Sequence, residues 1–330
     1  MNVKNIKSNN TEKLHHKRND GIPFDANLFK EININRSAVE RRAATLGGRR
    51  SVKKQWQAAW LLKALSCIDL TTLAGDDTKS NVQRLCAKAK SPVRQDLLKA
   101  MEMEDANISV GAVCVYHNLI VDAVDALGDN KIPIAAVSTG FPAGNIPLEE
   151  KLKQIELSVA AGATEIDIVV SRNLVIQSDW KGLYDEVSAC RKACGEAHMK
   201  TILATGEIPT YTKVAKASWV SMMAGSDFIK TSTGKENVNA TIPVSLVMIR
   251  TIREYHELTG YKVGFKPAGG ISKAKQAINW LVLIKEELGN EWLSPELFRF
   301  GASSLLGDIE RQLEHFVTGR YSAAFRHPMA

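Results

Sequence analysis

The sequence of 330 residues contains no apolar run that approaches the roughly 20 residues needed to cross a membrane. Its first residues are polar and basic, and they lack the apolar segment that a secretory signal requires. Hydrophobic residues make up 45% of the chain, which is enough for one sizeable globular core. We therefore expect a soluble, cytoplasmic protein with no membrane partner.

Neither the cysteines nor the histidines form a metal-binding pattern. The five cysteines are odd in number and lack zinc-site spacing, and the seven histidines include no His-x-His or His-x-x-x-His pair. Such cysteines are typical of the reduced thiols of an intracellular protein. We expect no metal and no disulfide framework.

Aromatic residues are scarce, at 6%, and they do not alternate with the basic residues as in a nucleic-acid-binding surface. The net charge of +7 is largely local, because residues 1–20 and the stretch 41–54 are rich in lysine and arginine. Residues 1–20 also contain almost no apolar side chains, which favours a solvated, disordered tail. We expect no nucleic-acid partner.

Short apolar runs alternate with amphipathic helical stretches, such as Leu148–Ala161 and Ser272–Leu288, along the rest of the chain. The eight runs are Ser66–Leu70, Gly111–Tyr116, Ile132–Ser138, Glu165–Val170, Lys200–Ala204, Asp227–Lys230, Lys262–Lys266 and Leu297–Gly301. This alternation is typical of strand–helix units on a parallel sheet, and eight successive units favour a closed barrel over an open sheet. We predict an α/β fold of the TIM (β/α)8 barrel type.

The organisation of the chain follows from the same pattern. Lys53–Leu65 precedes the first run and is predicted to be a helix that covers the bottom or side of the barrel, and no composition break follows residue 50. We predict a disordered basic tail over residues 1–20, an N-terminal helical extension over 21–65, the barrel over 66–320 and a C-terminal tail over 321–330.

Charged residues interrupt several of the apolar runs on one face. Successive strand side chains point to opposite faces, so in Glu165–Val170 the isoleucines share one face and the two carboxylates share the other. If the apolar sets face the outer helices, Asp69, Asp167 and Lys266 point into the lumen. Their runs end at the carboxyl edge of the barrel, which is the catalytic edge of this fold.

Lys230 and Lys266 end two neighbouring runs. Lys230 shares its parity with Phe228, but its place at the end of the run leaves it free to turn inward. Because adjacent strands lie about 4.8 Å apart, the two amines can approach each other, and each then disfavours the charge of the other. One lysine becomes a neutral nucleophile and the other remains the cation, while Asp69 and Asp167 balance charge and move protons. The spacing leaves open which lysine attacks, and two lysines that merely extend to solvent are the structural alternative.

A phosphate site is predicted at the same edge. Gly269 and Gly270 follow the seventh run, and Ser303 and Ser304 follow the eighth. Loops after strands 7 and 8 and a helix N-terminus commonly bind phosphate in this fold. Ser303 and Ser304 can also cap the last helix, and the two interpretations are compatible.

Six segments together resemble the deoxyribose-phosphate aldolase family, of the eukaryotic type. They are Ile68–Leu73, Phe141–Gly144, Glu165–Asp167, Phe228–Gly234, Gly264–Gly270 and Phe300–Ser304, and the resemblance covers roughly residues 50–320 in order. It implies a class I aldolase without a metal cofactor. Such an enzyme cleaves the phosphosugar 2-deoxy-D-ribose 5-phosphate reversibly to acetaldehyde and D-glyceraldehyde 3-phosphate.

The resemblance also implies residue roles. Lys230 forms the covalent imine, Lys266 is the cation that lowers its pKa, Asp167 shuttles protons through water, and Asp69 holds Lys266. The Gly234 amide, Gly269–Gly270 and Ser303–Ser304 hold the phosphate, and Cys114 matches a family cysteine near the substrate, although a small core residue is its alternative.

Three expectations complete the prediction. Many bacterial members end in a tyrosine that assists proton transfer, whereas this chain ends in Ala330. Tyr321 and Phe325 are the aromatic residues nearest its end, so a catalytic role of the tail is in question. A homo-oligomer is possible. The alternatives are a phosphosugar isomerase on the same barrel, which leaves the lysine pair unused, and a catalytically silent binding protein.

Overall fold

The computed structural model describes residues 17–327, and within them eight parallel strands form a barrel. The strands are β1 (Ile68–Thr71), β2 (Ala112–Tyr116), β3 (Ile134–Val137), β4 (Glu165–Val169), β5 (His198–Ile202), β6 (Phe228–Lys230), β7 (Gly264–Lys266) and β8 (Phe300–Ala302). They pair in the order β7-β6-β5-β4-β3-β2-β1-β8. Two bridges, Phe265 with Phe298 and Ala268 with Gly301, join β7 to β8 and close the barrel. The predicted TIM barrel is confirmed.

Helices surround the strands and cover their outward-facing apolar side chains. They are α1 (Arg36–Arg49), α2 (Lys54–Ser66), α3 (Lys79–Lys90), α4 (Gln95–Ala100), α5 (Ile120–Leu127), α6 (Leu148–Ala160), α7 (Arg172–Gln177), α8 (Trp180–Ala193), α9 (Tyr211–Met223), α10 (Ile242–Thr259), α11 (Ala274–Glu287) and α12 (Ser304–Thr318). Local sequence sets their ends: the Thr210 and Thr241 side chains cap the N-termini of α9 and α10. Gly260 and Gly319 end α10 and α12 in the left-handed conformation. No helix in the described part of the chain is long and apolar enough to cross a membrane.

All eight strands differ from the predicted runs by one to three residues at one end or both, and the structure gives the cause for two of them. β5 begins at His198 and ends at Ile202, two residues before the predicted end at Ala204, because Ala204 has a positive φ of 55°. β8 begins at Phe300, three residues later than predicted, because the amides of Leu297 and Phe298 donate hydrogen bonds to the Ser294 carbonyl in a turn. Neither shift changes which side chains face the lumen.

The segment before the barrel packs on the barrel. Asn19 is buried and donates hydrogen bonds to the carbonyls of Met222 and Ser226, at 2.8 and 2.9 Å. Arg18 donates to the Ala197 carbonyl at 2.6 Å. Arg18 and Asn19, the last part of the predicted basic tail, therefore contact the barrel. The rest of that predicted tail, residues 1–16, lies outside the described residues.

The basic stretch around α1 and α2 takes part in ion pairs within the protein. Arg42 contacts Glu286 and Glu287 at the end of α11, each at 3.2 Å, and Arg50 contacts Glu286 at 3.2 Å. Arg250 of α10 also contacts Glu287, at 3.1 Å. These contacts fasten α1 to the barrel wall and account for part of the local positive charge.

The described C-terminal residues pack beside α12, away from the carboxyl edge of the barrel. His327 contacts Glu314 at 2.6 Å, and the Ser322 hydroxyl donates to the same carboxylate at 2.8 Å. Tyr321 is exposed, and its ring stacks on His315 with centroids 4.7 Å apart. Because α12 starts at the carboxyl edge and runs back along the barrel, Tyr321 lies at the opposite end from the edge that carries the predicted site.

Candidate active site

Seven charged side chains inside the barrel are joined to one another by ion pairs, and we call them the lumen cluster. They are Asp69, Glu165, Asp167, Lys200, Lys230, Lys266 and Arg299. Each is at most 4% exposed. The cluster contains the four predicted catalytic residues and three others.

The mouth layer of the cluster consists of Lys230, Lys266, Asp167 and Asp69. Lys230 and Lys266 are register partners at the last positions of β6 and β7, so both amines reach the same carboxylate. Oδ2 of Asp167 accepts hydrogen bonds from Lys230 Nζ at 2.7 Å and from Lys266 Nζ at 2.8 Å. Lys266 also donates to Asp69. Lys266 therefore has two carboxylate partners, whereas Lys230 has one, which it shares.

The inner layer consists of Glu165, Lys200 and Arg299, nearer the N-terminal ends of the strands. Arg299 donates to Glu165 at 2.8 Å and to Asp69 Oδ1 at 2.6 Å. Lys200 donates to Glu165 and lies 3.3 Å from Asp167 Oδ1. The inner layer thus contacts both aspartates of the mouth layer from below.

The sequence prediction did not assign the inner layer. Parity places Glu165 on the same face as Asp167 but assigns it no role, and Lys200 and Arg299 are absent from the predicted site. A usable signal exists: each is a charged residue within or beside an apolar run, and a buried charge needs a partner. Arg299 lies two residues before Gly301, so both face the same side of that run, the lumen. Lys200 is the register partner of Phe228 on the neighbouring strand, so it faces the same side as Phe228 and Lys230.

The charges of the lumen cluster do not balance when every group is ionised. Four cationic groups face three carboxylates, and a buried net charge is unfavourable. Burial, together with the nearby Lys266 cation, lowers the pKa of Lys230. Burial also disfavours the charge of Lys266, but Asp167 and Asp69 outweigh this effect and raise the pKa of Lys266. The cluster becomes neutral when Lys230 alone loses its proton.

The carboxylates of the mouth layer stay ionised. Burial alone would raise the pKa of Asp167, but Lys230 and Lys266 outweigh burial and hold it well below its usual value. Lys266 and Arg299 likewise lower the pKa of Asp69. Both aspartates are therefore ionised at rest. Each can take a proton from a neighbouring group for a short time and then return it.

Phe228 also faces the lumen. It lies two residues before Lys230 on the same strand, so both side chains point inward. Lys200 Nζ lies 5.8 Å from the centroid of the Phe228 ring. Gly264 on β7 makes the room, since a β-carbon there would overlap the ring. The Phe228 ring thus fills the space below the mouth layer between β5 and β7, and the inward position of Lys230 needs no distortion of the strand end.

One wall of the mouth is apolar. Cys114 on β2 packs with Ala135 and Val137 on β3, and Tyr116 and Phe141 border them. Burial raises the pKa of the Cys114 thiol, although the Lys266 charge opposes this effect. Cys114 therefore lies beside the lysines as a neutral thiol, in a position that suits contact with an apolar part of a substrate.

The predicted phosphate residues lie together on the rim. The loops at Gly234 and Gly269 adjoin, because a β-carbon on Gly234 would be 3.9 Å from the Gly269 Cα. Gly270 follows in the same loop, with a positive φ of 78°. Ser303 and Ser304 are exposed at the start of α12, and the Ser303 side chain makes no capping hydrogen bond.

One rim contact was not predicted. The amide of Gly234 donates a hydrogen bond to the carboxylate of Glu236 at 3.2 Å, so this amide already has an anionic partner within the chain.

Residues 17–327 contain no group of three or more His, Cys, Asp and Glu side chains placed to hold a metal ion. The three carboxylates of the lumen cluster instead have lysine and arginine partners.

Comparisons with known proteins show which family the chain resembles. A model of the DeoC/LacD family aldolases matches residues 63–305. Mouse (Mus musculus) deoxyribose-phosphate aldolase is 61% identical over 312 residues, which cover 94% of this chain and 98% of that protein. The human (Homo sapiens) protein of that name is 60% identical over 315 residues, covering 94% and 99%.

A solved structure supports the fold. The deoxyribose phosphate aldolase of Aeropyrum pernix, described as a unique tetramer, has a TM-score of 0.56 to this chain at 22% identity, covering 85% of this chain and 99% of that one. The family model and the two mammalian relatives show more than the fold, and the chain belongs to the DeoC/LacD family of aldolases.

Proposed function

We propose that the protein is a deoxyribose-phosphate aldolase that forms a Schiff base on Lys230. It cleaves 2-deoxy-D-ribose 5-phosphate reversibly to acetaldehyde and D-glyceraldehyde 3-phosphate. Support comes from the names of the mammalian relatives, which match nearly the whole chain, and from the lumen cluster. The observation that carries the residue assignment is the excess of one cation over the carboxylates.

The assignment of roles follows from the unequal pairing of the two lysines. Lys230 has a lowered pKa and one shared carboxylate, so it supplies the neutral amine. Lys266 has a raised pKa and two carboxylates, so it remains the ammonium that disfavours charge on Lys230. Asp69 and the inner layer hold Lys266 and Asp167 in place.

The reaction needs no metal or other cofactor, because the imine accepts the electrons. The Lys230 amine adds to the substrate aldehyde, and loss of water gives a protonated imine. Removal of the proton from the C3 hydroxyl group, with Asp167 acting through water, lets the C2–C3 bond break. D-Glyceraldehyde 3-phosphate leaves, and the electron pair of the broken C2–C3 bond stays on the fragment attached to Lys230, which becomes an enamine. Protonation of the enamine carbon and addition of water release acetaldehyde and restore the amine.

The rim supplies the phosphate site. Gly269 and Gly270, the start of α12 with Ser303 and Ser304, and the Gly234 loop offer amides and hydroxyls around one space above the amines. Cys114 contributes to the apolar wall at the reacting end. The partner is thus a small phosphosugar. The expectations of no nucleic-acid partner, a cytoplasmic location and a possible homo-oligomer stay predictions.

The two alternatives do not account for the lumen cluster. A phosphosugar isomerase needs a carboxylate base and a phosphate site, and it leaves Lys230 and Lys266 without a function. A silent binding protein has no need of a buried lysine with a lowered pKa, which costs stability without any return in binding.

Reductive trapping tests the proposal. The protein is incubated with acetaldehyde and sodium borohydride, digested, and analysed by mass spectrometry for a reduced adduct. We expect the adduct on the Lys230 peptide and none in a Lys230→Met variant. An adduct on Lys266, or no adduct in the native protein, would contradict the proposed roles. Activity should also be unchanged by a chelator.

A further inference from the structure

The loop after β6 holds one of its own carboxylates where an anion would bind. Both oxygens of Glu236 accept hydrogen bonds from the Thr233 amide at 3.1 Å, and one also accepts from the Gly234 amide at 3.2 Å. Consecutive amides that converge on one point form an anion-binding concavity. In this structure Glu236 occupies the concavity.

The concavity belongs to the rim of the barrel mouth. The Ala240 amide donates to the Ala268 carbonyl at 3.2 Å, which ties this loop to the one that carries Gly269 and Gly270. The Asn239 side chain donates to the Glu236 carbonyl at 2.8 Å and shapes the loop. Both glycine loops therefore face the space that the proposed function assigns to the substrate phosphate.

We propose that Glu236 competes with the substrate phosphate for the amides of Thr233 and Gly234 and so sets how tightly the rim binds phosphate. The inference rests on the proposed function, since it concerns the phosphate site of that reaction. Two anions cannot share the same pair of N–H donors, because neither charge is neutralised and the two repel each other. Glu236 is only half-buried, so its carboxylate can swing into water when a phosphate enters.

This competition weakens the binding of every phosphate compound by about the same factor. Inorganic phosphate makes contacts only at the rim, and these must offset the loss of the Glu236 contacts. A phosphosugar makes the same contacts and is also held through its imine on Lys230, so it still displaces the carboxylate. The Glu236 side chain therefore lowers the affinity for free phosphate and preserves the amide geometry while the site is empty.

Binding of inorganic phosphate to the full chain tests the proposal directly. Glu236→Gln keeps the size and a hydrogen-bond acceptor but removes the charge. We expect its dissociation constant for phosphate, measured by calorimetry, to fall about fivefold, the size expected for removing one like charge at short range in water. The KM for 2-deoxy-D-ribose 5-phosphate should fall as well, with the KM for unphosphorylated 2-deoxy-D-ribose unchanged.

Glu207→Gln is the matched control, because Glu207 is another partly exposed carboxylate on the rim and its ion-pair partner is Arg172, at 2.6 Å. It should change phosphate affinity much less. Equal effects of the two variants would show a general charge effect and overturn the proposal, as would unchanged or weaker phosphate binding in Glu236→Gln. Trapping of acetaldehyde on Lys230 involves no phosphate, so its failure would contradict the proposed function and not the role of Glu236.

Discussion

The two layers of the lumen cluster contain the same kinds of groups but differ in balance. In the inner layer, Glu165 has two cationic partners, and Lys200 and Arg299 each contact more than one carboxylate. In the mouth layer, two amines share Asp167, and one of them has no second partner. The inner-layer groups thus stay ionised, whereas in the mouth layer the Lys230 amine can lose its proton.

The contrast between the layers shows how the fold selects one lysine among three. All three lysines of the cluster are buried, so burial alone does not distinguish them. The pKa is raised for Lys200 and Lys266, whose carboxylate contacts outweigh burial, and it is lowered for Lys230. The proposed nucleophile is therefore the lysine with the fewest carboxylate contacts, and substitutions in either layer should change this balance.

The largest effect is expected from Lys230→Met. Removing the one amine of the lumen cluster whose pKa is lowered should abolish cleavage, a loss of at least about 10⁴-fold in kcat/KM. The variant should retain its thermal stability, since it removes the excess charge of the cluster. Residual turnover through Lys266 would show that the two lysines are interchangeable.

Lys266→Met should have the next largest effect. Without the neighbouring ammonium, Lys230 no longer shares Oδ2 of Asp167 with a second amine, so the pKa of Lys230 rises and the amine is protonated near neutral pH. We expect kcat to fall about 10²-fold at neutral pH, because each unit of pKa increase costs tenfold in free amine. The loss should shrink as pH increases, which a pH–rate profile measures. A loss that is independent of pH would contradict this explanation.

Changes in the inner layer should move the activity less, and in opposite directions. Lys200→Met removes a cation, so the pKa of Lys230 should rise and the rising limb of the pH–rate profile should move to higher pH. Glu165→Gln removes an anion, so the pKa of Lys230 should fall and the limb should move to lower pH. Each removes one partner from a buried network in which the remaining groups keep other partners, so each should lower the free energy of unfolding by less than the roughly 3–5 kcal/mol that a fully unpaired buried charge costs. Lys88→Met, which breaks the ion pair with Glu310 outside the lumen at 2.7 Å, is the control and should leave the limb unchanged. Shifts of the same sign in both lumen variants would refute the charge-balance account.

The smallest effect concerns stability against acid. The folded-state pKa values of Asp69, Glu165 and Asp167 are lowered, so their ionised forms stabilise the folded state. This contribution is present above the unfolded-state pKa values of about 4 and is lost as pH falls through the lower folded-state values. Urea unfolding from pH 7 to pH 3 should show stability decreasing mainly below about pH 4. Constant stability across this range would contradict the lowered values.

Sequence reasoning reached the fold and the mouth layer for identifiable reasons. Strand parity is a local property, so Asp69, Asp167 and Lys266 could be placed in the lumen from their own neighbours in the chain. Placing Lys230 needed its position at a strand end. The choice between the two lysines remained open on spacing, because it depends on how many carboxylates each amine contacts.

The inner layer and the Glu236 contact could not be derived in the same way. Lys200 pairs with Glu165, 35 positions away, and Arg299 pairs with Asp69, 230 positions away. These partners come together only when the barrel closes. The Glu236 contact is local, but it depends on a loop conformation that no periodic pattern encodes. Boundaries of β5 and β8 shifted for a similar reason, since turns at Ala204 and Ser294 end or delay the strands.

The pKa of the Lys230 amine is the most direct test of the charge-balance account. Reductive trapping with acetaldehyde, followed peptide by peptide from pH 5 to about pH 12, gives the pH at which Lys230 reacts at half its maximal rate. The account predicts a midpoint below the ordinary lysine value of 10.5 in the native protein and a higher midpoint in Lys266→Met. A native midpoint at or above that value, or one that Lys266→Met leaves unchanged, would contradict it.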